Sequence, residues 1–222
     1  MANVLFIVSS GYKNADYETG WWAEELFAPM LAVEGAGHKA DIASPKGGRP
    51  TVDQASLSAE WDPDGAYRKL CESGRVDHTL QLAEVQPENY EAVVIVGGHG
   101  AMFDLANNED VRRIVNAVYD SGGIIGAECH GPAALIWTHR PDGKSILSGK
   151  KVTGYPDVHE PEEVREYLPF SLERELSGIA QYVTNLEEKS FAVWADEQIV
   201  LSRDPMSSAL MGEELVKALS GK

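Results

Sequence analysis

Cysteine is scarce in this chain: only Cys71 and Cys129 occur among 222 residues. Neither belongs to a CxxC pair or a Cys/His cluster, so there is no disulfide framework and no structural zinc motif. Cations are also few, with 19 Lys and Arg against 35 Asp and Glu, for a formal net charge of −16. Such a surface repels phosphate backbones and anionic lipid, which argues against nucleic-acid and membrane partners. No apolar run reaches the ~18–20 residues of a membrane span. The start, Met1-Ala2-Asn3-Val4, lacks the basic segment and cleavage site of a secretory signal. A reducing, cytoplasmic location is expected. No repeat, low-complexity tract or long linker interrupts the chain, so residues 1–222 are read as a single domain.

What is present is apolar content of 43%, enough for a sizeable core, distributed in short runs. Val4–Val8, His38–Ala43, Tyr90–Val96 and Gly123–Ala127 have the composition of strands, the first a continuous apolar run that suits a sheet covered on both faces. Between them lie helical patterns at Trp21–Gly35 and from the cap Asn108 through Val118. A short helix is expected near Pro63–Glu72. Beyond the fourth strand, a helix is expected at 132–138 and a short strand near Lys151–Thr153. Acidic helical stretches follow at 160–167 and 170–177, then a hairpin around Asp196-Glu197 and a final helix from Met206 to Leu219. This alternation predicts a three-layer α/β sandwich around a mostly parallel sheet. Ligands of such sheets bind beyond the carboxyl ends of the strands. Two sequences fall there, Gly97-Gly98-His99-Gly100 and Glu128-Cys129-His130-Gly131.

A sharp turn from strand to helix lifts its central side chain out of the sheet and aims backbone N–H groups at one point. Cys129 is therefore a candidate nucleophile, with a thiol pKa expected to fall at the helix N-terminus. A small buried filler is the competing reading. His130 is either a general acid/base or structural, and Gly97-Gly98 either supplies an oxyanion donor or forms a plain tight turn. Glu24 and Glu25 open an apolar-striped helix, so one can point inward beside the sheet. Asp157, His159 and Glu160 form a polar cluster that also reads as a solvated loop. His99 and His159 match no metal-ligand spacing, and Cys71 reads as a bystander.

Taken together, "TGWWAEELFAPM" (19–30), "AGHKADIASPKGG" (36–48), "YEAVVIVGGHGAMFDL" (90–105), "AECHGPAAL" (127–135) and "GKKVTGYPDVHEPEE" (149–163) carry a resemblance. "PFSLERELSG" (169–178) and "DPMSSALMGEEL" (204–215) extend it almost to the end. The chain resembles the ThiJ/PfpI superfamily, with its flavodoxin-like, class I glutamine amidotransferase-like fold. Within it, the branch of glyoxalase III enzymes and related heat-shock chaperones is the most similar.

The resemblance implies Cys129 as nucleophile, His130 as its histidine, Glu160 as the acid behind it, and Glu25 as a protonated glutamate against the sulfur. It implies an oxyanion hole from Gly98 and the His130 N–H, and a substrate pocket that includes His99, Glu128 and Asp204. It further implies a homodimer acting on a small carbonyl substrate such as methylglyoxal, without glutathione, metal or other cofactor. Hydrolase or deglycase chemistry is the first alternative, and a stress chaperone or redox sensor the second. A chaperone needs an exposed apolar patch, for which Trp21-Trp22 is the candidate. Two departures stand out: Glu128 replaces the usual small or apolar residue before the cysteine, and "DPMSS" replaces the usual asparagine-proline-alanine-serine.

Overall fold

Along the first strand, successive side chains serve two different cores, and this alternation organises the molecule. In the computed structural model, which describes residues 1–221, Leu5 and Ile7 join one buried cluster while Val4 and Phe6 join the other. A strand buried on both faces must be apolar at every position, which is why the run is continuous.

The strands are β1 (Asn3–Ile7), β2 (Tyr12–Lys13), β3 (Glu18–Thr19), β4 (Lys39–Ser44), β5 (Leu80–Gln81), β6 (Ala92–Ile95), β7 (Ile124–Glu128), β8 (Lys151–Val152), β9 (Gln181–Tyr182), β10 (Ala192–Trp194) and β11 (Ile199–Ser202). The helices are α1 (Ala23–Gly35), α2 (Ala66–Glu72), α3 (Ala101–Asp104), α4 (Glu109–Asp120), α5 (Ala133–Ile136), α6 (Glu162–Arg165), α7 (Leu172–Ile179) and α8 (Ser208–Ser220).

Seven strands form the central sheet in the order β10-β11-β7-β6-β1-β4-β5. All its pairings are parallel except that of β10 with β11. One face is covered by α1 and α8, whose Leu26, Met30, Val33, Met211 and Leu215 pack on Val4, Phe6, Val94 and Val200. On the other face, Val111, Ile114, Val115 and Val118 of α4 pack on Leu5, Val93, Ile95 and Ile125. Asn108 starts α4 by accepting hydrogen bonds from the N–H groups of Asp110 and Val111, as its capping role requires. The result is the expected mostly parallel α/β architecture. From β1 the sheet grows one way through β4 and the other way through β6, so the strand order switches between β1 and β6. Open α/β sheets bind ligands beside such a switch.

Some elements differ from expectation. The helix over 132–138 contracts to the four residues of α5, because the chain turns at Trp137 and bridges His139 to Ser145. The hairpin of β2 and β3 and the edge strand β5 were not expected, since two-residue strands leave no readable period. The short strand near 151 pairs with β9 in a separate two-stranded sheet. No helix among the described residues is long and apolar enough to cross a membrane.

Candidate active site

β7 ends at Glu128, and the chain then reverses through Cys129 at φ 55°. A left-handed conformation at a residue other than glycine costs about 1–2 kcal/mol and must be held by its surroundings. Here the Cys129 N–H donates to the Ser202 carbonyl at 3.0 Å, and the Cys129 carbonyl accepts from the Tyr155 N–H at 2.9 Å. Gly131 closes the turn by donating to the Glu128 carbonyl at 2.6 Å.

The neighbouring strand end, after β6, is glycine for steric reasons. A Cβ at Gly97 would lie 2.3 Å from Glu25 Oε2, 2.5 Å from the Glu128 carbonyl and 2.9 Å from Cys129 Cβ. Gly97→Ala is expected to lower stability by about 2–3 kcal/mol, read as a reduced denaturant midpoint. An unchanged midpoint would mean that Glu25 and the elbow can move apart. Gly98, at φ 89°, packs as tightly against the Gly20 carbonyl.

Three of the expected site residues meet in one chain of contacts. Cys129 Sγ lies 3.3 Å from His130 Nδ1, and His130 Nε2 lies 2.9 Å from Glu160 Oε2. His99 Nε2 contacts the other oxygen, Glu160 Oε1, at 2.5 Å. Burial by itself would raise the Glu160 pKa, but the hydrogen bonds from His130 and His99 outweigh it and hold the carboxyl well below its usual range. An ionised carboxylate only accepts hydrogen bonds, so each imidazole donates its Nε2–H. That leaves the His130 Nδ1 lone pair facing the thiol. Burial and the neighbouring His99 lower the His130 pKa, against the opposing pull of Glu160.

The thiol itself behaves contrary to the sequence expectation. Complete burial, then the nearby Glu25, Asp204 and Glu160, push the Cys129 pKa well above its ordinary value. The four-residue α5 is too short to offset this through its dipole. Forming a thiolate here therefore requires a neighbouring base, a place that the His130 Nδ1 lone pair at 3.3 Å can fill.

Of the two glutamates opening α1, Glu25 is the one fully buried, while Glu24 is half-buried. Burial drives the Glu25 carboxyl up to about 8, against the Cys129 thiol and the Gly97 backbone, which favour its charged form. At neutral pH it is a neutral hydrogen-bond donor beside the sulfur. Glu128 corrects the expectation of a pocket residue. As the last residue of β7 its side chain follows Ile124 and Gly126 onto the α1/α8 face, where it is fully buried and outside the cavity lining. Ser202 Oγ donates to it at 3.3 Å, and burial followed by Glu25 raises its pKa well above the usual carboxyl range.

Asp204 is also outside the lining of the cavity over Cys129, and lines instead a neighbouring one that shares Trp61, Tyr155 and Pro205 with it. It accepts from Arg203 Nε at 2.7 Å and Ser207 Oγ at 2.7 Å, and its neighbour Pro205 supplies the wall. The Asp157 carboxylate accepts from Ser171 Oγ at 2.6 Å rather than joining the contacts of Glu160, and His159 is exposed. Trp21 is fully buried and Trp22 half-buried, so the two form no exposed patch. Cys71 sits buried on α2, its thiol pushed by burial to about 11.

Above Cys129, Gly98 and His130 opens a cavity of about 380 Å³. The N–H groups of Gly98 and His130 have no protein acceptor among the described residues and are free for an oxyanion. His99 lines the cavity. Trp22, Trp61, Tyr17, Asp53, Tyr155 and Val164 line it too. These lie in loops or at element ends, where periodicity carries no signal. Among the described residues, His99, His130 and Glu160 are the one group whose donor atoms, within 4.8 Å of one another, are near enough to hold a metal ion. Their mutual hydrogen bonds already account for the convergence.

The DJ-1/PfpI family model matches residues 4–218. A glutathione-independent glyoxalase of Saccharomyces cerevisiae is 36% identical over 167 residues, covering 70% of each chain. One from Schizosaccharomyces pombe is 28% identical over 230 residues, covering 96% of this chain and 94% of the relative. The crystal structure of the 24 kDa Rapid Encystment Protein of Francisella tularensis superposes with a TM-score of 0.89 at 30% identity, covering 99% of both chains. On this evidence and its architecture, the chain belongs to the DJ-1/PfpI family.

Proposed function

We propose that this protein is a cysteine-dependent, glutathione-independent glyoxalase III-like enzyme that converts 2-oxoaldehydes such as methylglyoxal to 2-hydroxy acids. The observation that carries the proposal is the relay from Cys129 Sγ through His130 to Glu160, beside a neutral Glu25 and two free backbone donors. The substrate class comes from the names of the glyoxalase relatives.

His130 Nδ1 takes the thiol proton as Sγ bonds to the aldehyde carbon, whose oxygen becomes an oxyanion held by the Gly98 and His130 N–H groups. Such a donor contributes about 3–4 kcal/mol in other enzymes. His130 then hands the thiol proton to the oxyanion, making the hemithioacetal hydroxyl. Neutral again, it removes the hydrogen from that carbon while the neighbouring carbonyl oxygen takes a proton, giving an enediol. A proton returns at the adjacent carbon as the first hydroxyl loses its own. His130 is placed for this transfer, with Glu25 on the sulfur side as a second proton carrier. The resulting thioester is hydrolysed, releasing the hydroxy acid and restoring the thiol. The sum is substrate plus water, with no external oxidant or reductant.

The test is conversion of methylglyoxal to lactate without glutathione. Robust turnover supports the proposal, and none, with an intact fold, rejects it. Glu160→Gln removes the charge that orients and stabilises the His130 imidazolium, and is expected to lower kcat about a hundredfold or more. A wild-type rate in that variant would take Glu160 out of the relay. The pH profile should fall above about 8, where Glu25 ionises and its charge opposes the thiolate. A plateau continuing well past that point would contradict this role for Glu25.

In this reading residues 1–222 act as one catalytic domain, in a homodimer of 24.2 kDa protomers that light scattering can verify. The cytoplasm is its compartment, where reducing conditions suit two free cysteines.

A further inference from the structure

The cavity is much larger than a three-carbon substrate requires. At about 380 Å³ it falls within the range of pockets that enclose drug-sized ligands. Its two ends differ in chemistry. The buried end presents Gly98, Cys129 and His130, the groups that would hold and attack a carbonyl. The wall leading outward is aromatic. Trp22 and Trp61 meet edge to face with centroids 5.2 Å apart, and Tyr17 is fixed by stacking on Tyr167 at 5.0 Å. Trp22, Trp61 and Tyr17 remain only half-buried, so the chain itself leaves aromatic surface uncovered around this space. Charge adds a second constraint: Glu18, Asp53 and Glu163 line the cavity, and no Lys or Arg does.

We propose that the preferred substrates are 2-oxoaldehydes bearing an uncharged aromatic or bulky apolar substituent, with arylglyoxals as the type. The proposal rests on the glyoxalase reading and specifies its substrate class. With the aldehyde carbon at Cys129 Sγ, the substituent extends along the cavity, onto Trp22 and Trp61. A ring placed there gains both apolar burial and ring-to-ring contact, whereas a methyl group leaves the wall uncovered. A carboxylated or phosphorylated substituent would be desolvated beside Glu18, Asp53 and Glu163 with no Lys or Arg in the lining, so anionic 2-oxoaldehydes are disfavoured.

The experiment compares kcat/KM for methylglyoxal, phenylglyoxal and para-carboxyphenylglyoxal, with the Cys129→Ala protein as the blank for uncatalysed modification. In the native protein phenylglyoxal is expected to exceed methylglyoxal by about tenfold or more, and the carboxylated analogue to fall about tenfold below phenylglyoxal. Trp61→Ala should collapse the phenylglyoxal-to-methylglyoxal ratio, while Trp61→Phe, which keeps a ring, should retain most of it. Methylglyoxal matching or exceeding phenylglyoxal would overturn the substrate class and leave the glyoxalase reading standing. A ratio unmoved by Trp61→Ala would overturn the role of the aromatic wall. Failure on all three substrates would instead reject the glyoxalase reading itself.

Discussion

Replacing Cys129 with alanine is expected to cut glutathione-free lactate formation by at least about a thousandfold, since the step it removes is the covalent one. No neighbouring group can take over. Cys71 lies on α2 outside the cavity, and its thiol is pushed to about 11 by burial. Ser202 and Ser207 are committed to Glu128 and Asp204 beneath the floor. The fold should survive, because Cys129 is held through its backbone amide and carbonyl, and alanine keeps both contacts. Stability should therefore change by only about 1 kcal/mol, the range for losing one small buried group. Steady-state lactate assays and a denaturant curve on the same preparation separate the two effects. A variant retaining a tenth of the native rate would show that the chemistry runs elsewhere.

The second large effect concerns stability. Glu128→Gln is expected to stabilise the protein at neutral pH by about 2 kcal/mol, with the gain vanishing near pH 4. In the unfolded chain this carboxyl ionises near its ordinary value of 4.5; in the fold, burial and Glu25 keep it protonated far above that. Between the two pKa values the native state binds the extra proton, so its stability falls as pH rises. Glutamine has nearly the same volume and never has to hold that proton. Its amide can donate to Ser202 and Ser208, the two hydroxyls that face the carboxyl. Denaturant midpoints at pH 4 and pH 7.5 test this. A loss at pH 7.5 larger than that at pH 4 would mean that the carboxyl is ionised and paired in the fold, and an equal change at both values would mean that folding does not shift it.

Much of this could be read from the residues. The continuous apolar strands at 4–8 and 90–96, the Asn108 cap and the turn at Gly131-Pro132 are each dictated by local chemistry. A parallel sheet then follows from their alternation with helices. The geometry of the corner at Cys129 is marked in the same way, by glycines at 97, 98 and 131 where backbones approach closely. The direction of the thiol shift was not legible. It depends first on the burial of Cys129 and then on Glu25, about a hundred positions earlier in the chain, being folded against it. The position of Glu128 was equally hidden, because one residue of strand extension decides which face a side chain takes. The aromatic wall was least visible. Tyr17, Trp61 and Tyr155 come from three separate loops, and only tertiary packing brings them together.

The most direct test of the central claim is to quench the enzyme with acid during methylglyoxal turnover and map the covalently modified peptide by mass spectrometry. An adduct of one substrate mass on Cys129, appearing and disappearing with turnover, is the expected result. Lactate production with Cys129 unmodified throughout, or with the adduct on another side chain, would contradict the account.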